Sequence, residues 1–333
     1  MIKKILVTGG GGYCGARLVP QLLESSYAVT VLDKFWFQSE KLFKAHENLK
    51  LVKGDIRDSD LLNKSLWDQD CVVHLACISN DASFELDEQL STSINLDAFG
   101  PLVEASKNAG VKKFIYASSS SVYGVSDKEN VTEDHPLVPL TLYNKFKGMC
   151  EPILTSFTDS NFTGVIFRPA TVCGYSPRQR LDLSVNILTN LAVNTGKITV
   201  FGGSQMRPNL HIQDYCDVVK LFIESDPSII QNKIYNVGNQ NMTISELAVL
   251  VKRIVEEEFN LESIEILTSS SDDNRSYHID STKIKNELGF TPKYSIEDAV
   301  RELCHAFKTG LLPNSLSDAN YFNVKKLKLI RAQ

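Results

Sequence analysis

No apolar run in this chain approaches the roughly 18–20 residues that a membrane span requires. A basic excess is also missing. With 35 Lys and Arg against 40 Asp and Glu, the net charge is −5. That argues against nucleic acid as a main partner, because phosphate backbones demand a basic face. A small polyphosphate ligand needs only local donors and is not excluded. The seven cysteines (Cys14, Cys71, Cys77, Cys150, Cys173, Cys216, Cys304) are scattered, with no Cys-x-x-Cys pair and no metal-ligand spacing. Neither a disulfide framework nor a metal site is expected; buried thiols in a reducing cytoplasm are. Internal repeats and low-complexity linkers are absent. The opening Met1–Thr8 sets two lysines before an apolar run. The run is too short for a secretory signal and ends in glycines, so it reads as a buried first strand.

A length of 333 residues exceeds what one core usually supports, so a large domain with a smaller lobe is expected. Strand patterns fall at 2–8, 28–33, 49–53, 71–75, 113–118 and 163–168, with amphipathic helical patterns at 13–25, 58–68, 88–109 and 141–158. This alternation predicts right-handed crossovers and a Rossmann-type, doubly wound parallel sheet, an α/β fold. Beyond about residue 170 the pattern loosens into helices near 183–194, 214–224, 243–258, 281–288 and 295–308 and strands near 198–201 and 233–237. The expected division is a dinucleotide-binding domain over 1–172 plus about 207–237. A smaller α/β substrate lobe, woven into it, takes about 173–206 and 238–320.

Directly after the first strand stands Gly9-Gly10-Gly11-Gly12-Tyr13-Cys14-Gly15, followed by a helix. Glycines at 9, 12 and 15 permit a tight turn, close approach of backbone N–H groups to a pyrophosphate, and close helix packing, with Tyr13 and Cys14 opening the helix. Asp33 ends the second strand. A carboxylate there accepts from a ribose 2′-OH and repels a 2′-phosphate, which favours NAD over NADP; Lys34 beside it weakens that preference.

Two later segments carry reaction chemistry. Ser118-Ser119-Ser120-Ser121 follows the fifth strand, where hydroxyls face the ligand crevice. Tyr143 and Lys147 stand four apart on a helix and share a face. A free phenol titrates at about 10, but a neighbouring ammonium favours the phenolate, which then serves as a base near neutral pH.

Together, Gly9-x-x-Gly12-x-x-Gly15, Gly54-Asp55-Ile56-Arg57-Asp58, His74-Leu75-Ala76, the serine run and Tyr143-x-x-x-Lys147 resemble the extended short-chain dehydrogenase/reductase family. The resemblance runs to about residue 308 and implies an NAD-dependent enzyme of the nucleotide-sugar epimerase/dehydratase group. It implies Ser119 as the catalytic hydroxyl, Tyr143 as general acid/base and Lys147 as its partner. Asp55 and Ile56 would lie beside the adenine, and Leu75 and Ala76 along the cofactor. Asn95 would support the site, and Arg168 would open a segment closing over the nicotinamide. Thr171 stands where many epimerases carry asparagine.

For the substrate, a nucleotide-diphosphate sugar, the resemblance points to Arg207 as a diphosphate ligand, with Ser120 and Arg275 as further contacts. The stretch Ser176-Pro177-Arg178-Gln179-Arg180 to Asn186 resembles a bacterial branch that includes GDP-heptose 4-dehydrogenases of surface-polysaccharide pathways. There Arg178, Arg180 and Asn186 are candidate phosphate or sugar contacts. Related 4,6-dehydratases carry Thr-Asp-Glu where this chain has Ser119-Ser120-Ser121, which disfavours dehydration, a reaction needing an acid and a base. The expectation is 4-epimerisation through a 4-keto sugar, with net 4-dehydrogenation or reduction as the alternative. A non-catalytic dinucleotide sensor is the reading of another class. The family's habit also implies a homodimer through the helices at 88–109 and 141–158.

Overall fold

The computed structural model describes residues 2–331 apart from 127, 129 and 271–275. In chain order the first part contains β1 (Lys4–Thr8), α1 (Tyr13–Glu24), β2 (Ala28–Asp33), β3 (Leu49–Lys53), α2 (Ser59–Leu66), β4 (Cys71–His74), α3 (Asp81–Phe84), α4 (Glu88–Thr92), α5 (Phe99–Asn108), β5 (Lys113–Ala117), α6 (Leu142–Phe157) and β6 (Thr163–Pro169). There follow β7 (Thr171–Cys173), α7 (Ser184–Thr195), β8 (Lys197–Phe201), β9 (Met206–His211), α8 (Ile212–Glu224), α9 (Pro227–Ile230) and β10 (Lys233–Val237). The chain ends with β11 (Gln240–Thr243), α10 (Ile244–Phe259), β12 (Glu265–Ser269), α11 (Thr282–Leu288), α12 (Ile296–Lys308) and α13 (Asn323–Arg331).

Seven strands pair in parallel in the order β10-β6-β5-β4-β1-β2-β3. Strand alternation feeds two apolar layers. Ile5 and Val7 of β1 join Leu18 and Leu22 of α1 and Phe222 of α8 on one face. Leu6 points the other way, into Leu62 of α2, Phe99 and Leu102 of α5 and Leu154 of α6. The order reverses at β1, flanked by β2 and β4. A crevice therefore opens outside the strand C-termini, where ligands settle in such sheets.

Over the crevice lie α7, α10 and α12, joined by Leu188, Ile198, Leu247, Val251, Ile254 and Val300. The small strands β7, β9, β11 and β12, the last paired in parallel with β8, were not expected. β9 contains Pro208 and shows no alternation, and β12 is mostly exposed, so neither shows a period of two.

The single helix expected over 88–109 is broken by a π-helical turn at Ser93–Asp97. That turn directs Asn95 inward, where its amide pairs with both backbone groups of Ile78, each at 2.9 Å. Such bulges trade regular bonding for a side chain placed off the helical repeat.

Candidate active site

The site is a cavity of about 690 Å³ lined from both parts of the chain. Its floor is the glycine loop. Gly9 has φ +73°, and a Cβ there would sit 2.5 Å from the backbone nitrogen of Ala76; one at Gly15 would sit 2.4 Å from the carbonyl oxygen of Gly10. The loop thus presses against β4 and α1 as only glycine permits. Helix α1 starts with Gly12 as its cap, without a side-chain capping bond and without an acidic residue in its first turn. Its leading N–H groups and positive dipole end are left for an anion.

At the end of β2, Asp33 accepts from the N–H groups of Gly11 (2.9 Å) and Phe35 (2.6 Å). Burial raises its pKa above the ordinary value, against those two bonds and the more distant Arg178. Lys34 is drawn aside: its ammonium bonds Asp55 at 2.7 Å. Asp55 is also gripped by Arg57, and the pair of cations, Arg57 foremost, holds it well below the usual carboxylate range. Lys34 and Asp55 line the cavity with Ile56, Leu75 and Ala76, but the Asp55 carboxylate is already committed to its ion pairs.

Ser119, Ser120, Tyr143 and Lys147 meet at the other end of the cavity. Thr141 caps α6 by accepting from the N–H of Asn144, and this sets Tyr143 and Lys147 on the face toward β5. Lys147 Nζ donates to the carbonyl oxygen of Ala117 at 2.8 Å. Ser119 Oγ shares a hydrogen with Ser121 Oγ at 2.7 Å, and Ser121 donates on to Asn144 Oδ1. Ser120 meets the Tyr277 hydroxyl at 3.3 Å. Loss of water raises the Tyr143 phenol well above its ordinary range; Cys77 and Asp81 add to this and Arg180 opposes it. These surroundings disfavour the phenolate, and added positive charge nearby would favour it.

Arg178 and Arg207 also line the cavity, Arg207 donating to the carbonyl oxygen of Met206 at 3.0 Å. Three expected contacts lie elsewhere. Arg168 is 3% exposed and is not among the lining residues. Its guanidinium is taken up by Glu151, Tyr123 and the carbonyl oxygen of Glu133. Asn95 does not itself line the cavity; it holds the backbone of Ile78, which does, so its place is that of a supporting residue rather than a cofactor contact. Asn186 is fully buried: it accepts from the N–H of Gly174 and donates to the Tyr13 hydroxyl and the carbonyl oxygen of Arg180. With Tyr13 donating to Gly174 and Ser176 donating to the carbonyl oxygen of Tyr13, it pins the 174–186 segment onto α1. These three corrections share a cause: a buried polar side chain is satisfied by its nearest backbone or countercharge, which spacing does not reveal. Arg275 lies outside the described residues.

Several lining residues were not singled out from sequence. Asn144 sits inside the Tyr143–Lys147 interval, fully buried, with its amide nitrogen unpartnered. Asn323, far beyond the expected motifs, reaches the cavity from the start of α13. The Tyr-x-x-x-Lys helix could have flagged Asn144, since position 144 neighbours Tyr143, the expected acid/base. Nothing local flagged Asn323.

The cavity thus offers an anion-binding helix start, a strand-end carboxylate and, across from them, hydroxyls, a phenol and an ammonium. That donor set fits a dinucleotide along the strand ends with a hydroxyl-bearing substrate beside Tyr143. The chain is similar to the low-salt glycan biosynthesis protein Agl12 of Haloferax volcanii, 28% identical over 313 residues, 92% of this chain and 98% of the relative. In structure it resembles the UDP-glucose 4-epimerase of Thermotoga maritima with UDP-glucose (TM-score 0.82, 27% identity, 92% of this chain and 99% of that one). It also resembles the dTDP-glucose 4,6-dehydratase DesIV of Streptomyces venezuelae with NAD and TYD bound (TM-score 0.81, 25% identity, 92% and 97%). The model of the NAD dependent epimerase/dehydratase family matches residues 5–238, and the chain belongs to that family.

Proposed function

We propose that this protein is an NAD-dependent nucleotide-sugar 4-epimerase serving surface-polysaccharide synthesis. The observation that carries this reading is that Ser119, Tyr143 and Lys147, on the β5 end and α6, line one cavity with the glycine loop and with Asp33, which ends β2 three strands away. Nicotinamide, when bound, accepts and returns a hydride. Tyr143 takes the proton of the sugar hydroxyl and gives it back; Lys147 favours the phenolate; Ser119 donates to the oxygen on which charge develops. Arg207 holds the diphosphate of the sugar nucleotide, and its planar fork suits paired phosphate oxygens.

Hydroxyls at Ser120 and Ser121, where the dehydratases carry carboxylates, argue against water elimination. A 4-dehydrogenase or reductase is the second reading, favoured by the Ser176–Asn186 segment. Helices α5 and α6 pack together and leave Met149 exposed at 42% on the outer side, which supports a homodimer through these helices.

The test uses the purified protein with UDP-, GDP- and dTDP-sugars and no added cofactor. Interconversion of C4 epimers with no net NADH supports the epimerase. When NAD is then added, NADH accumulating in proportion to oxidised sugar makes it a dehydrogenase, and a 4-keto-6-deoxy product makes it a dehydratase.

A further inference from the structure

Arg178 is a buried site arginine with no ion-pair partner among the described residues. It is 3% exposed, yet among the described residues no carboxylate lies within ion-pair distance of it. Its Nη2 donates to the neutral amide oxygen of Asn323 at 2.6 Å, its plane lies 4.2 Å from the Phe37 ring centre, and its Nε has no partner. The nearby Asp182 is already used: it pairs with Arg180 at 2.8 Å and accepts from the N–H of Asn323 at 2.9 Å. A buried guanidinium without a counterion is expensive unless a ligand supplies the charge.

The position of Arg178 says which ligand. Phe37 follows β2 and Ser79 follows β4, the two strands flanking β1, and Asn323 bridges from Arg178 to Ser79, donating at 3.0 Å. Arg178 therefore faces the crevice that the glycine loop also lines, where the neighbouring Arg180 opposes its charge and Asp182 and Asp33 favour it. The uncapped start of α1 lines the same cavity. An anion between them meets donors on both sides, and there the crevice holds the linkage joining the two halves of a dinucleotide. The sugar-handling end, at Tyr143 and Arg207, lies further along the cavity.

Asn323 is held by a strap of chain beyond the family-matched residues. Tyr321 accepts from the N–H of Leu181 at 2.9 Å, Ser315 accepts from Asn190, and Leu327 of α13 is buried with Trp36, Phe37 and Leu90. The strap thus crosses from the outer lobe to the β2 side.

We propose that Arg178, positioned by Asn323 and the strap over 312–331, ligates the pyrophosphate of NAD from the side opposite the glycine loop and retains the cofactor through turnover. This rests on NAD being the ligand and reassigns Arg178 from substrate to cofactor. A clasped cofactor suits chemistry that returns its hydride within one visit of the substrate.

The test is exchange of bound NAD for isotopically labelled NAD, followed by mass spectrometry, for wild type, Arg178→Gln, Arg178→Lys and Asn323→Ala. We expect slow exchange in wild type and exchange faster by about tenfold or more in Arg178→Gln, the loss of a charge-assisted contact. Arg178→Lys and Asn323→Ala should fall between. Binding of ADP-ribose should weaken in Arg178→Gln while that of adenosine stays unchanged, which a merely structural role would not produce. Unchanged exchange, or equal weakening of ADP-ribose and adenosine, overturns the proposal. If Arg178→Gln does not fold, the same criteria apply to Arg178→Lys and Asn323→Ala. Weakened sugar-nucleotide binding with normal NAD exchange returns Arg178 to the substrate and leaves the epimerase reading standing. Failure of the epimerase assay leaves the exchange result untouched.

Discussion

Glu151 and Arg168 form a buried two-pronged ion pair, with Nε to Oε1 at 2.9 Å and Nη2 to Oε2 at 2.6 Å. Glu151 stands one helical turn beyond Lys147, as Lys147 stands one turn beyond Tyr143, and Ser118 donates to the same carboxylate at 2.7 Å. The pair therefore sets α6 in register against β5 and β6, and Tyr143 with it.

Arg168→Met should destabilise the fold by about 3–5 kcal/mol, because it leaves Glu151 buried without its countercharge. Replacing both residues by methionine should recover much of that loss. Urea denaturation of the two singles and the double provides the check; independent, additive losses would show that the pair is not coupled.

Tyr143→Phe should lower kcat by about 10²–10⁴-fold while NAD remains bound, since only the proton carrier is removed. Turnover with each candidate sugar nucleotide and the nucleotide content of the purified variant are the two readings. Wild-type-like turnover would remove Tyr143 from the mechanism.

Asp33→Ala should weaken NAD by about tenfold, the worth of one charge-assisted hydrogen bond, and narrow the preference over NADP. Lys34 strengthens the second effect once the carboxylate is gone. Titration calorimetry with both dinucleotides measures it, and an unchanged ratio would remove Asp33 from the discrimination.

His74 provides a pH dependence of stability. It is 3% exposed, its Nδ1 lies 2.7 Å from Thr8 Oγ1, and burial, with Lys147 adding, pushes its pKa down from 6.5 to about 3. The unfolded chain binds this proton more readily than the folded one. The contribution is therefore complete above about pH 6.5 and is lost as pH falls toward 3, by roughly 1.4 kcal/mol per unit. Denaturation at pH 7 and pH 5, repeated with His74→Asn, should show a shallower acid loss in the variant.

Much of this molecule is determined by local sequence. An unbroken apolar run such as Ile5, Leu6 and Val7 dictates a strand buried on both sides, and Gly9, Gly12 and Gly15 dictate the turn into α1. Tyr143 and Lys147 need only a helix to share a face. Those signals lie within one or two turns of chain, so they are readable before folding.

The tertiary structure decided what the long polar side chains do. Arg168, Asn95 and Asn186 sit in motifs that suggest ligand contacts, yet each is taken by a partner that folding brings near: Glu151, the backbone of Ile78, and Tyr13 with Gly174. Arg178 shows the reverse. Its meeting with Asn323, 145 residues away in sequence, leaves a buried cation open to the cavity. A long side chain reaches several ångströms in any direction, and only the packed fold settles which charge or dipole it meets first.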